Sequence, residues 1–241
     1  MGGGGSGFPS HGPRDTRATM STMKAYVFDA YGTLFDVHSA VRRHAEAVGP
    51  DAARLSEVWR LKQLEYSWVR GLMGRYRPFS ALTEEALDHA FAAVPGANRT
   101  ARAVLLDAYL ALDAYSEVPG VLRALRERGH RTAILSNGSP DMLDPVIARA
   151  GLADLLDAVI SVDALQTFKT DPRVYAHCCE RMGVEPEEVS FQSSNRWDIA
   201  GATAFGHRAV WVNRANAPDE YRDLAPAMVV RDLSALIAPG T

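Results

Sequence analysis

The chain has 241 residues, of which 47% are apolar and 23% charged, with a formal net charge of −3 at neutral pH. That length supports one large domain or a domain carrying an insertion. The near-neutral balance and scattered arginines exclude the basic stripe of a nucleic-acid-binding protein, and no apolar run approaches the ~20 residues of a membrane span. The two cysteines, Cys178 and Cys179, are adjacent. They exclude a disulfide framework or a spaced metal site and point to a reducing, cytoplasmic compartment.

Residues 1–22 are rich in Gly, Ser and Pro and read as a disordered tail. The segment from Lys24 to Asp36, KAYVFDAYGTLFD, is an apolar run that ends on Asp29 and breaks at Gly32. It reads as a buried strand whose C-terminal tip offers Asp29 to a crevice. Helical spacing follows. Leu55, Val58, Trp59, Leu61, Leu64 and Trp68 recur every three or four residues. A second helix is expected from Thr83 as N-cap, with Glu84 and Glu85 in its first turn, through Leu87 and Phe91, and a third from Ala101 to Leu112. From Val118 onward, helices and apolar strands alternate. Strands are expected at 132–136, 158–162, 189–193 and 209–212, with helices at 121–128, 141–150, 172–182 and 197–205. Such alternation specifies a parallel sheet covered on both faces. The expected architecture is α/β, with a Rossmann-like core built from residues 23–36 and 116–238 and a helical cap inserted at 37–115.

The chemistry is concentrated at Asp29-Ala30-Tyr31-Gly32-Thr33. Here the chain resembles the haloacid dehalogenase superfamily, whose phosphatases read DxDxT at this point. The second acid, which in those phosphatases protonates a departing alkoxide, is replaced by Tyr31. Halide is the conjugate base of a strong acid and leaves without a general acid, so this change suits a dehalogenase and not a phosphatase. Where the phosphatases carry a GDxxxD acidic pair that holds magnesium, this chain reads Ser193-Ser194-Asn195-Arg196-Trp197-Asp198. Only Asp198 is a carboxylate, whereas magnesium favours an oxygen shell with more than one. A site without metal or organic cofactor is expected.

Four words in order, FDAYGTLFDVHS, WRLKQLEYSW, ILSNGSP and SSNRWD, narrow the resemblance to the L-2-haloacid dehalogenases. The resemblance implies that Asp29 attacks a small 2-halocarboxylate, that an ester on Asp29 is then hydrolysed, and that a D-2-hydroxy acid and halide result. It implies that Thr33 belongs to the nucleophile's motif, that Lys169 stands beside Asp29, and that Arg60 receives halide. It further implies that Ser136 and the backbone after Asp29, at Ala30 and Tyr31, hold the substrate carboxylate, and that Asn137 cradles the halide. Ser193, Asn195 and Asp198 complete the catalytic set, Asp198 as candidate base, with Tyr175 supporting Lys169. Tyr31, Leu64, Phe79 and Trp197 match the apolar pocket walls. The resemblance also implies a homodimer. Two departures stand out: Thr170 follows Lys169 where the family commonly has proline, and Leu61 replaces a glutamine beside the arginine, which is expected to make the pocket less polar.

Electrostatics asks for such cations independently. A carboxylate attacking an anionic substrate meets repulsion of about 4 kcal/mol at ~4 Å and an effective dielectric of ~20. Each residue also has a plainer reading. Asp29 can end a strand, Arg60 and Lys62 can be surface charges, Ser136-Asn137-Gly138 can be a tight turn, Ser193 and Asn195 can cap a helix, and the aromatic residues can be core. Two other functions stay open at this level: a magnesium-dependent small-molecule phosphatase on the same fold, and a non-catalytic binding relative.

Overall fold

The computed structural model describes residues 23–238, so the tail expected at 1–22 lies outside the described residues. Its strands are β1 (Ala25–Phe28), β2 (Arg131–Ser136), β3 (Ala158–Ser161), β4 (Val189–Ser193), β5 (Arg208–Val212) and β6 (Met228–Val230). They form one sheet in the order β3-β2-β1-β4-β5-β6, and every pairing is parallel. All residues of β1 and β4 are buried. That is why these strands read as continuous apolar runs and not as alternating ones. Strand order reverses direction at β1, so the crevice at the tips of β1, β2 and β4 is the place where open α/β sheets bind ligands.

Four helices follow the strands of the core: α6 (Val118–Glu127), α7 (Pro140–Arg149), α8 (Pro172–Met182) and α9 (Arg196–Phe205). The segment between β1 and β2 holds α1 (Ser39–Arg43), α2 (Ala45–Val48), α3 (Ala52–Leu72), α4 (Phe79–Ala93) and α5 (Arg102–Tyr109). No strand is described between β1 and β2, and the segment forms an inserted helical cap. Helix α3 buries Leu55, Val58 and Trp59 while α4 buries Leu82, Ala86, Leu87 and Phe91.

Some boundaries differ from the expected ones for physical reasons. Thr83 is not an N-cap. Helix α4 begins at Phe79 behind Pro78, and Thr83 is buried in its interior, accepting hydrogen bonds from Gln63 Nε2 (3.0 Å) and, at its carbonyl, from Trp59 Nε1 (2.8 Å). The third cap helix is shorter than expected, ending at Tyr109, because Leu110 N–H and Ala111 N–H turn back to Asp107 O and Ala108 O in tighter i→i−3 bonds; a 3₁₀ turn at Arg99–Ala101, capped by Asn98, precedes it. Strand β6 has three residues at the sheet edge and was not anticipated.

The chain enters and leaves the cap along one narrow ribbon. Asp36 N–H donates to Asp113 O (2.9 Å) and Tyr115 N–H donates to Leu34 O (3.0 Å), and Phe35 bridges both Tyr31 and Ala114.

Candidate active site

Asp29 leaves the tip of β1 and the next residues turn sharply. Gly32 holds φ of 95°, a conformation that costs glycine little. The N–H groups of Thr33, Leu34 and Phe35 all donate to Ala30 O, and Gly32 N–H donates to Phe35 O. The turn aims the Asp29 carboxyl into the crevice but leaves it only 5% exposed.

Three donors hold that carboxyl. Lys169 Nζ lies 3.1 Å from Oδ1, while Asn195 Nδ2 (2.8 Å) and Thr33 Oγ (3.1 Å) donate to Oδ2. The Thr33 hydroxyl oxygen in turn accepts Ser194 N–H at 2.8 Å. Lys169 is 1% exposed and also donates to Asp198 Oδ2 at 2.8 Å. Tyr175 donates its hydroxyl to Asp198 Oδ1 at 2.9 Å. One buried ammonium thus joins two buried carboxylates, an arrangement that survives desolvation only because its hydrogen-bonding capacity is used.

The charges follow from this geometry. Burial works against the Lys169 charge, but Asp198 and Asp29 outweigh it and hold its pKa above the ordinary 10.5. Burial, reinforced by the Asp29 charge, pushes Asp198 up to about 6 against the pull of Lys169. Burial also raises the Tyr175 phenol well above its usual range, with Asp198 adding to the effect, so it remains a neutral donor.

A divalent ion does not fit this donor set. The two carboxylates it would bridge are already joined by Lys169 Nζ, and among the described residues no group of three His, Cys, Asp or Glu side chains could hold a metal.

Ser136, Asn137, Ser193 and Arg60 hold the turns next to this center. Ser136 Oγ accepts Gly138 N–H (3.0 Å), and Asn137 Oδ1 accepts the Lys169 backbone N–H (2.9 Å), so both shape the loops around the lysine. A Cβ at Gly138 would stand 2.6 Å from a Tyr31 ring carbon, which explains glycine there. Ser193 Oγ accepts Asn195 N–H (3.1 Å). Asn195 occupies the N-cap position of α9 but makes no side-chain cap, because its amide is directed to Asp29. Arg60, from α3, donates from Nη2 to Tyr31 O at 3.1 Å, while Lys62 pairs with Glu65. Tyr31 stacks on Tyr109 with ring centers 5.6 Å apart and meets Phe79 at 6.3 Å. Trp197 meets Trp68 edge-on at 5.4 Å. Leu64 and Trp197 are half-buried.

Tyr175 reaches Lys169 through Asp198, to which it donates. One expectation is corrected. Leu61 is 57% exposed, so it faces outward and does not make the pocket less polar. The sequence reading also missed Arg214, whose Nη2 donates to Thr33 O (3.0 Å) and Glu117 Oε1 (2.6 Å) and whose guanidinium lies 3.7 Å from the Tyr115 ring center. It pins the nucleophile's turn to the outgoing linker of the cap. It stands just past the tip of β5, so the strand-tip rule that singled out Asp29 would have found it.

A doubly wound parallel sheet with an inserted helical cap, and a buried lysine between two aspartates at its C-terminal edge, defines an α/β enzyme of the aspartate-centered kind. Residues 23–206 match the family model described as haloacid dehalogenase-like hydrolase, and the chain belongs to that family. It is similar to (S)-2-haloacid dehalogenase 1 of Pseudomonas sp. (strain CBS-3), 51% identical over 203 residues that cover 84% of this chain and 89% of the relative. It also resembles the structure of L-2-haloacid dehalogenase from Xanthobacter autotrophicus with chloropropionic acid covalently bound, with TM-score 0.80, 40% identity and coverage of 89% and 97%. A further crystal structure, of a dehalogenase with intermediate complex, matches with TM-score 0.87, 44% identity and coverage of 89% and 96%.

Proposed function

We propose that this chain hydrolyses L-2-haloacids to D-2-hydroxy acids through an ester on Asp29, without a metal ion. The observation that carries this reading is the buried Asp29–Lys169–Asp198 cluster, in which an ammonium supplies the positive charge next to a carboxylate at a strand tip. Its relatives bear dehalogenase names, and one similar structure holds chloropropionic acid covalently bound.

In this mechanism an Asp29 oxygen attacks the α-carbon from the face opposite the halogen. The carbon–oxygen bond forms as the carbon–halogen bond breaks, and halide departs with the bonding electrons toward Arg60. Lys169, Asn195 and Thr33 orient the attacking group. The Ala30 and Tyr31 N–H groups, which the turn does not use, hold the substrate carboxylate with Ser136. Asp198 then takes a proton from water, whose oxygen adds to the Asp29 carboxyl carbon. Collapse breaks that carbon's bond to the substrate oxygen, which leaves as the hydroxyl of the product after taking the proton from Asp198, and the Asp29 acid sheds water's second proton to solvent to return as carboxylate. A single turnover in oxygen-18 water tests this route: the label is expected in Asp29 and not in the product. Label in first-turnover product means direct attack by water on the substrate and overturns the ester.

We take residues 37–115 as the cap that shuts this site, with the core at 23–36 and 116–238. Leu61, Val69, Leu72 and Met73 expose an apolar stripe along and just past α3, Leu72 being 90% exposed. This stripe favours a homodimer through α3. Sedimentation of the protein at micromolar concentration reads this directly, and Leu72→Glu is expected to yield monomer; a monomeric parent refutes it. Cys178 and Cys179 are free and buried, in keeping with a cytoplasmic setting, and among the described residues no helix is long and apolar enough to cross a membrane.

A further inference from the structure

Arg60 reaches the site from a cap helix, and a long arginine side chain needs more than one contact to hold a direction. Its described hydrogen bond is to Tyr31 O, 3.1 Å away. Tyr109, the last residue of α5, is buried and packs on Tyr31, whose carbonyl accepts from Arg60. Its ring stacks on Tyr31 at 5.6 Å and 19° and packs at 5.0 Å on Trp59, the residue before Arg60. Its hydroxyl donates to Gln63 Oε1 at 3.2 Å, and Gln63 Nε2 donates onward to Thr83 Oγ at 3.0 Å.

The direction of these bonds matters. With its proton committed to Gln63, the phenol oxygen can only accept from other donors, and Arg60 has five N–H groups and no acceptor. Burial raises the Tyr109 pKa, and Arg60, close enough to share a hydrogen bond with the phenol, opposes that rise. A buried polar chain of this kind costs stability unless it is complete, so its presence inside an otherwise apolar helix junction calls for a reason.

We propose that Tyr109 is a positioning residue: the chain Thr83–Gln63–Tyr109 fixes the direction of the Arg60 guanidinium, while the Tyr109 ring fixes the Tyr31 wall, so that the cap's helix packing sets the affinity for the anion. This inference rests on the reading of Arg60 as the anion receptor. Tyr109→Phe keeps the stacked ring and removes only the hydroxyl. The effect falls on Arg60's hold on the halogen, in the bound substrate, in the departing halide and in free halide alike.

The test is steady-state turnover of L-2-chloropropionate with sodium bromide as a product-like inhibitor, for the parent, Tyr109→Phe, Arg60→Ala and the double variant. Tyr109→Phe is expected to raise KM/kcat and the bromide inhibition constant together by about tenfold. Arg60→Ala is expected to raise both further, and adding Tyr109→Phe to it is expected to change nothing more. A lowered melting temperature with both constants unchanged makes Tyr109 merely structural and overturns the inference, as does a full Tyr109→Phe effect persisting in Arg60→Ala. If Arg60→Ala itself leaves bromide inhibition intact, the receptor reading fails and takes this inference with it. Should Tyr109→Phe not fold, Gln63→Leu removes the hydroxyl's acceptor and is expected to show the same parallel rise; separate behavior of the two constants there counts against the proposal.

Discussion

Asp29→Asn abolishes halide release from L-2-chloropropionate, by at least about 10⁴-fold, because a carboxamide oxygen is a poor nucleophile at carbon and no neighbor can activate it. The variant is expected to fold. Thr33 and Asn195 can still donate to the remaining oxygen, and Lys169 retains Asp198 at 2.8 Å. The cluster carries two carboxylates against one ammonium, so removing one negative charge relieves repulsion in a buried place. The melting temperature should therefore hold or rise while turnover disappears, a division between stability and activity that marks a site kept strained for function. Halide release by folded Asp29→Asn at a rate near the parent would remove Asp29 from the chemistry. Differential scanning calorimetry beside a halide electrode measures both quantities on one sample.

Lys169→Met should damage both. Its ammonium is shared by two carboxylates that are themselves almost wholly buried, and leaving those uncompensated costs about 3–5 kcal/mol, which for a domain of this size lowers the melting temperature by about 10 °C. The Lys169 pKa stands above 10.5 in the folded protein, so its stabilising contribution is complete at all pH values below its unfolded pKa and is lost only as pH climbs through the folded one. The loss in the variant is therefore fully present at neutral pH. Turnover should fall by about 10³-fold, since the attacking group loses its fixed positive neighbor. The residual activity carries a second signature. In the parent, kcat should decline at acid pH as Asp198 protonates in the ester, at a pH below the free enzyme's value of about 6 because esterified Asp29 no longer adds its charge to the rise, and a protonated acid cannot take the water's proton. Without Lys169, which lowers that value, the decline should begin at higher pH. An unchanged melting temperature together with an unshifted acid limb would refute the assigned role.

Much of this site could be nominated from the sequence and little of it could be assembled there. Asp29, Ser136 and Ser193 each end an apolar run, and the strand-tip rule picks them out one by one. Their meeting depends on β1 lying between β2 and β4, which alternation of helices and strands does not specify. Lys169 lies eight residues past the end of β3, beyond a 3₁₀ turn at Val162–Leu165, so only its match to a known pattern singled it out. Thr83 misled because its neighbors Glu84 and Glu85 imitate a helix start, while its hydroxyl serves a buried bond to Gln63. Strand β6 escaped because three residues, one half-buried, one exposed and one buried, are too few to show a period. Tyr109 was invisible for the opposite reason: a buried tyrosine in an amphipathic helix looks like packing until its partners are known.

The ribbon formed by Leu34–Asp36 and Asp113–Tyr115 gives the insert a single doorway. Both crossings run side by side, so everything between them can be lengthened, trimmed or exchanged for another lid with the sheet left intact, provided the replacement begins and ends at the same threshold. The nucleophile and its lysine thus stand on the sheet side of that threshold and Arg60 on the other, so the catalytic set is complete only when the insert rests on the strand tips.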